Sequence, residues 1–273
     1  MTGTDLPRTA DTTPGYDMLA DALSAADQLV RNYNSSLLLP THARSQLRLD
    51  LTAGGAASCF NTASAGLAVA LDHLTTWSDT VCQQGKVAVY ANYSLARPAY
   101  ECALRVLWLL DPTVDSSTRI ARGYSAQLVS LDWMRKFQES LDMKDGNAAA
   151  LDERVLNAAR TEGFVVQSSK GKEVVSVSMP TAIELFDIYD RPSRDVKAAW
   201  IYRFLSGHSH GFEWAAVRGG ELFPTSSTDL DLNKVQANMS ELVFFANRTV
   251  SVVARATTAH INYRLHVAER PSK

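Results

Sequence analysis

The sequence predicts an all-α fold: one helical bundle domain with a long C-terminal helix and a small β-hairpin insertion. Turn-forming residues are scarce, with 14 glycines and nine prolines in 273 residues, where average usage is about 7% Gly and 5% Pro. Hydrophobic residues make up 46% of the chain and recur at helical spacing over most of it. This composition provides for a buried core and excludes a wholly disordered chain.

The first half of the chain is predicted to be helical after a short tail. Residues 1–14 are rich in Thr, Asp, Pro and Gly and predict a disordered tail, followed by one domain over 15–268. Helices are predicted over 16–33, 56–80, 86–111, 116–143 and 148–161, with a loop over 34–54. Pro98 lies inside the third helix and predicts either a late start or a kink.

The second half combines a hairpin with further helices. Residues 164–178 carry β-branched residues on both sides of a polar turn, which is typical of a β-hairpin. Helices are predicted over 181–189, 193–206 and 232–267, with a loop over 219–232. The last helix is about 50 Å long, and its apolar stripe runs from Val235 to His260. A stripe of that length needs a partner surface, so we predict a homodimer with this helix in the interface.

Charge and targeting signals exclude several classes of partner. The chain has 27 Lys and Arg against 29 Asp and Glu, so we expect no general attraction to nucleic acid, no stable DNA binding and no membrane partner. No apolar run reaches the length of a transmembrane helix, and the first residues lack the apolar core of a signal peptide. Cys59, Cys82 and Cys102 form no C-x-x-C pair. We therefore expect free thiols in a cytoplasmic protein.

Standard catalytic motifs are missing from the sequence. It contains no P-loop, no Rossmann glycine motif after a strand and no G-x-S-x-G elbow, which argues against the chemistries that depend on them. Trp108, Trp133, Trp200 and Trp214 lie in helical segments, and we interpret them as core residues rather than base-stacking surfaces.

The segment 202–211 is the first candidate for chemistry. Arg203 is the only charge in the apolar run 198–205, so we expect it to be buried against an acid, a carbonyl cluster or an anionic ligand. His208 and His210 follow between two glycines. Histidines beside an arginine suit acid–base work on a phosphate. Alternatively, Arg203 pairs with a buried acid and the histidines cap the helix.

The second candidate is a charge ladder on the third helix. Arg97, Glu101 and Arg105 are each four residues apart, so they share one helix face in a segment that otherwise has the composition of a core helix. Glu101 is either a site carboxylate that orients Arg203 or a histidine, or part of a structural pair that fixes the register of the helix.

A metal site is the third candidate. His208 and His210 form H-x-H, which Glu101, Glu213 or His260 could extend. Metal sites need three or four ligands with supporting hydrogen bonds. We therefore predict no metal and no cofactor, and we interpret His260 as a core residue.

Two resemblances follow from these residues. Arg203-x-x-x-x-His208 resembles the Arg-x(4–6)-His signature of HEPN-like helical proteins, and His210 fits its longer spacing. R-P-x-x-E from Arg97 and Y-R-x-x-S-x-x-x-H from Tyr202 also resemble actinobacterial helical proteins of unknown function. The HEPN-like resemblance implies a dimer with a composite site and metal-independent RNA cleavage, as in toxin and abortive-infection systems.

The resemblance implies specific roles. Arg203 stabilises charge on the scissile phosphate, His208 or His210 acts as base or acid, and Glu101 orients one of them. Candidate substrate-binding residues are Arg105, Tyr202 and Ser206. The alternative is a non-catalytic interaction or ligand-binding protein in which Glu101, Arg105 and Arg203 form a structural network.

Overall fold

The structure is a computed structural model that describes residues 13–54, 56–88, 90–143, 147–169, 172–190, 199–212, 214–215, 220–224 and 233–268. The fold over these residues is all-α, as predicted. Most of the predicted tail, residues 1–12, lies outside the described residues, as do 191–198 at the start of a predicted helix. Among the described residues, no helix combines the length and hydropathy needed to cross a membrane.

Helices account for most of the described chain. They are α1 (Thr13–Leu37), α2 (Gln46–Ala53), α3 (Ala56–Ser78), α4 (Ala91–Leu109), α5 (Ser116–Ser140), α6 (Ala148–Thr161), α7 (Ala182–Tyr189), α8 (Ala199–Ser209) and α9 (Met239–Leu265). A π-helical turn, Asp79–Gln83, extends α3. Helix α4 begins at Ala91 and continues through Pro98.

Two antiparallel hairpins accompany the helices. β1 (Val166–Ser169) pairs with β2 (Lys172–Val175), which confirms the predicted hairpin. β3 (Gly220–Pro224) pairs with β4 (Asn233–Ala237), where a loop and the start of the last helix were predicted, so that prediction is wrong. The apolar spacing was extended too far, because the last helix begins only after Asn238. The Asn238 side chain accepts a hydrogen bond from the backbone N–H of Glu241 and caps the helix.

Helix α2 was also missed, since residues 34–54 were predicted to be a loop. It has eight residues, of which only Leu47 and Asp50 are buried. Two buried positions, one of which is an aspartate, are too few to establish a helical period of apolar residues in the sequence. Its start is set locally, because the Ser45 side chain accepts from the backbone N–H of Arg48.

Helix α4 lies at the centre of the main core and contacts α3, α7, α8 and α9. Its sides are largely buried, with fully enclosed residues such as Tyr93, Tyr100 and Leu104. A smaller apolar cluster, which includes Ile120 and Val175, joins α5 and α6 to the first hairpin.

The apolar stripe of α9 is covered within the chain by α1, α3 and α4. Leu242, Phe245 and Val253 are buried there. The premise that this stripe needs a second copy is therefore wrong. The outer side of α9 is mostly polar, with exposed Asn247 and Ser251. A homodimer remains a prediction that this helix no longer supports.

A buried carboxylate joins three helices that are distant in sequence. Asp50 of α2 is fully buried and accepts hydrogen bonds from Arg119 Nε of α5 at 2.8 Å and from the Tyr263 hydroxyl of α9 at 2.7 Å. Gln46 Nε2 donates to it at 2.6 Å. Burial raises the pKa of the Asp50 carboxyl, but the hydrogen bonds from Arg119 and its neighbours outweigh that effect and hold the pKa below its ordinary value. The carboxylate is therefore charged at neutral pH.

We expect Asp50→Ala to lower the free energy of unfolding by roughly 3–5 kcal/mol, because Arg119 would remain buried without its counter-ion. Urea unfolding near neutral pH measures the loss. Glu153→Gln is the control, since its ion pair with Arg160 is exposed and is worth at most about 1 kcal/mol. Equal, small losses in the two variants would contradict the structural role assigned to Asp50.

Candidate functional site

The predicted charge ladder forms on α4. Arg97 Nε lies 2.7 Å from Glu101 Oε1, and Arg105 Nη2 lies 3.9 Å from Glu101 Oε2. One carboxylate thus faces two guanidinium groups, so the ladder carries a net positive charge. Arg105 is the more exposed of the two arginines. The Arg97–Glu101 contact is both the shorter and the more sheltered pair.

Helix α8 packs beside this ladder and completes a shallow cleft. The α4–α8 cleft is open, has a volume of about 330 Å³ and is lined by Arg97, Pro98, Glu101 and Ser209. The Arg97 guanidinium lies over the Tyr202 ring at 5.5 Å from its centroid. Arg97 therefore contacts Tyr202 of α8 while its Nε atom holds Glu101.

His210 reaches the same arginine. Its Nε2 atom lies 3.3 Å from Arg97 Nη1. A guanidinium has donors but no acceptor, so Nε2 accepts this hydrogen bond and the imidazole is neutral while the contact lasts. An exposed imidazole with a lone pair beside a cation and an open cleft is a suitable arrangement for proton transfer.

Arg203 is exposed rather than buried, so the prediction of a buried charge is wrong. The apolar run that contains it is a helix, and its buried side is formed by Ile201, Phe204 and Leu205. Any run longer than one turn also includes outward positions, and Arg203 occupies one of them. Among the described residues, it has neither a hydrogen bond nor an ion pair.

His208 lies in the core, away from the cleft. Its ring stacks on Tyr93 at 4.0 Å between centroids and contacts Phe204 at 4.6 Å. Neither ring nitrogen has a hydrogen-bond partner in the described part of the chain. Burial lowers the pKa of His208 to about 4. The imidazole is therefore neutral and shielded, which does not fit the predicted role in acid–base chemistry.

Helix geometry explains why the two histidines differ. Positions 203 and 210 are seven residues apart and lie about 20° from each other around the axis, whereas 203 and 208 differ by about 140°. The helical hydrogen bonding continues to His210, whose N–H donates to the Ser206 carbonyl at 3.0 Å. Arg203 and His210 therefore share the outward side of α8, and His208 faces inward.

The other predicted site residues differ in how close they lie to the cleft. Tyr202 contacts Arg97, and Ser206 is half-buried on the same helix as Ser209. Ser209, which the sequence prediction did not select, lines the cleft instead. Arg97 was recognised only as part of the ladder, although it is the residue that contacts Glu101, Tyr202 and His210. Its position four residues before Glu101 was the available signal.

The tryptophan prediction is largely wrong. Trp108 is buried, but Trp133, Trp200 and Trp214 are 66%, 39% and 51% exposed. Helical periodicity within one segment identified the helices but did not show which of their sides are covered.

His260 is the core residue that the sequence predicted. It is fully buried, and its Nε2 lies 2.8 Å from the Ser64 hydroxyl. In the described ranges, no three His, Cys, Asp or Glu side chains group as metal ligands. Glu213, which was considered as a third ligand, lies outside the described residues.

Comparison with protein-family models, curated proteins and solved structures gave no match. The resemblance to HEPN-like proteins therefore depends on the motif residues alone.

We expect the protein to lose stability as the pH falls from about 6.5 to about 4. Burial lowers the pKa of His208 and of His260 to about 4, so the unfolded chain binds protons in this window while the folded chain does not. Each histidine contributes about 3 kcal/mol to this loss. His208→Phe should remove the part of this stability loss that His208 causes. A phenylalanine ring can take the place of the imidazole, because the imidazole stacks on Tyr93 and makes no hydrogen bond among the described residues.

Urea unfolding near pH 7 and near pH 4 on both proteins checks this expectation. Carboxylates also titrate in this range, and comparing the two proteins cancels their contribution. An identical acid loss in wild type and His208→Phe would contradict a shielded neutral His208.

Proposed function

We propose that this chain acts on RNA as a HEPN-like, metal-independent ribonuclease whose working pair is Arg203 and His210. The observation that carries the proposal is their shared outward side of α8, with His210 Nε2 3.3 Å from Arg97 at the α4–α8 cleft. Three elements of phosphodiester chemistry then lie on or beside one side of α8: an accessible imidazole, a guanidinium without a partner among the described residues, and a second guanidinium held by a carboxylate.

Arginine residues hold the phosphate in this proposal. The planar guanidinium of Arg203 matches two phosphate oxygens, and no acid among the described residues competes for it. Arg97 already donates to His210. A phosphate oxygen bound to Arg97 competes for that N–H group and frees the lone pair of His210.

The proton moves to His210. Its Nε2 removes the proton of a ribose 2′-hydroxyl, the 2′-oxygen bonds to phosphorus, and the bond from phosphorus to the 5′-oxygen breaks. The leaving oxygen takes a proton from water. The products are a 2′,3′-cyclic phosphate and a 5′-hydroxyl, so the step needs no metal or redox partner.

Glu101 is a positioning residue in this proposal rather than a partner of a histidine. Its 2.7 Å contact with Arg97 Nε fixes the guanidinium that contacts His210. Arg105, 3.9 Å from the same carboxylate and partly exposed, adds positive charge along the path of the RNA.

A second candidate is a non-catalytic protein that binds a phosphate-bearing ligand in the same cleft. The burial of His208 favours it. Cleavage is fastest with both a base and an acid, and His210 is the accessible histidine of the pair. Binding needs only the arginines.

The proposed activity is tested on a short single-stranded RNA with a chelator present. We expect wild type to produce ends with a cyclic phosphate, and His210→Ala to lower the rate by roughly 10²–10⁴-fold. Arg203→Lys should also lose activity, because lysine does not reproduce the two-pronged contact. Gel separation of end-labelled fragments gives the rates.

Two histidine variants serve as controls. His42→Ala changes an exposed histidine whose backbone N–H bonds to Arg264, near the far end of α9, and should keep full activity. His208→Phe should keep activity as well, because His208 lies outside the cleft. Binding of RNA by wild type without any cleavage would favour the second candidate, and loss of activity in His208→Phe with intact folding would contradict the assignment of His210.

A further inference from the structure

Two exposed tryptophans flank Arg203 on the outward side of α8. Trp200 precedes it by three residues and is 39% exposed. Trp214 lies after the helix and is 51% exposed, and its ring packs over Gly207, four residues after Arg203. We name Trp200, Arg203 and Trp214 the α8 platform.

The platform has a regular geometry. Positions 200, 203 and 207 follow the i, i+3, i+7 spacing, so they lie on one side of the helix. The distance along the axis from 200 to 207 is about 10 Å. Arg203 is therefore attached to α8 between Trp200 and Gly207, the residue against which Trp214 packs.

Both rings are anchored. Trp200 stacks on Phe244 with 5.5 Å between centroids and contacts Phe245 at 5.9 Å. For Trp214, a Cβ atom built on Gly207 would lie 2.6 Å from its Cζ2 atom, so only glycine lets the ring approach α8 this closely. Anchored rings that remain exposed can bind a flat ligand with little loss of side-chain entropy.

The combination of aromatic and cationic groups limits the chemistry of the ligand. Nucleobases stack on exposed aromatic rings, with each stack contributing about 1–3 kcal/mol, and arginine binds the phosphates between them. A purely apolar partner would leave the Arg203 guanidinium buried and unpaired, which is costly. A purely anionic ligand would not use the rings.

We infer that single-stranded RNA lies along α8 with bases stacked on Trp200 and Trp214 and a phosphate held by Arg203. The inference deepens the proposed function and rests on it, since it names the class of RNA that the cleft receives. Bases of a duplex are stacked inside the helix and do not reach such rings. The strand continues past His210 toward the α4–α8 cleft, which lies on the neighbouring side of α8.

The test measures dissociation constants by fluorescence anisotropy with three labelled probes of equal length. They are a single-stranded 2′-O-methyl oligoribonucleotide, an abasic strand with the same backbone, and the 2′-O-methyl strand in a duplex. The methyl group blocks attack by the 2′-oxygen, so binding is measured without cleavage. The protein is the full chain.

We expect the base-bearing strand to bind at least tenfold more tightly than either other probe. Trp200→Ala and Trp214→Ala should each weaken its binding by roughly tenfold, which corresponds to one lost stack, and leave the abasic strand unaffected. Trp133→Ala is the matched control, because Trp133 is an exposed tryptophan on α5. Trp200→Phe keeps an aromatic ring against Phe244 and should recover most of the affinity. This recovery would show that the loss in Trp200→Ala is not caused by misfolding.

The outcomes separate the two proposals. Equal binding of base-bearing and abasic strands, unchanged in both tryptophan variants, overturns the platform and leaves phosphate recognition intact. Tighter binding of the duplex also overturns the platform. Binding that depends on the tryptophans but not on Arg203 supports base stacking on the two rings and overturns the phosphate contact of Arg203, both in the platform and in the proposed function. Absence of binding by all three probes overturns both.

Discussion

The burial of helix α4 is the constraint on which the arrangement of this protein depends. Helices α3, α5, α7, α8 and α9 contact it, and residues such as Tyr93, Tyr100 and Leu104 have no exposed surface. A charge on the covered sides would lose its hydration, which costs free energy unless a partner replaces the water. The charged residues of α4 therefore lie on one ladder, Arg97 to Arg105, where the helix meets α8 and solvent. The same packing that makes the core thus determines where a polar cleft forms.

The two histidines at the C-terminal end of α8 have different surroundings. His208 joins the aromatic cluster around Tyr93 and Phe204, where an uncharged ring is stable. His210, two residues later, emerges beside Arg97. One histidine thereby contributes to packing, and the other is exposed beside a charged cleft, although the two have similar neighbours in the sequence. The exposed rings of Trp200 and Trp214 add an aromatic surface on and beside α8, so the proposed stacking surface and the proposed base lie close to the same helix.

Helix α6 could be predicted from the sequence, whereas α2 and the second hairpin could not. Helix α6 occupies 148–161 as predicted, because a segment with a clear apolar period can bury its apolar side as a helix. Helix α2 was missed because it buries only two residues. The second hairpin was missed because Val235 fits a helical stripe as well as a strand. For α2, packing against α3, α5 and α9 decided what the local pattern left open.

The sequence by itself determined the helical fold, the first hairpin and the Arg97–Glu101 pair, since residues four apart on a helix are neighbours whatever surrounds them. It did not determine that Arg203 is exposed, that His208 is buried or that His210 meets Arg97. Position 210 is 113 residues from position 97 along the chain, and their contact exists only because α8 packs against α4. Local spacing sets which residues share a helix side, but the side that faces solvent depends on what the rest of the chain covers.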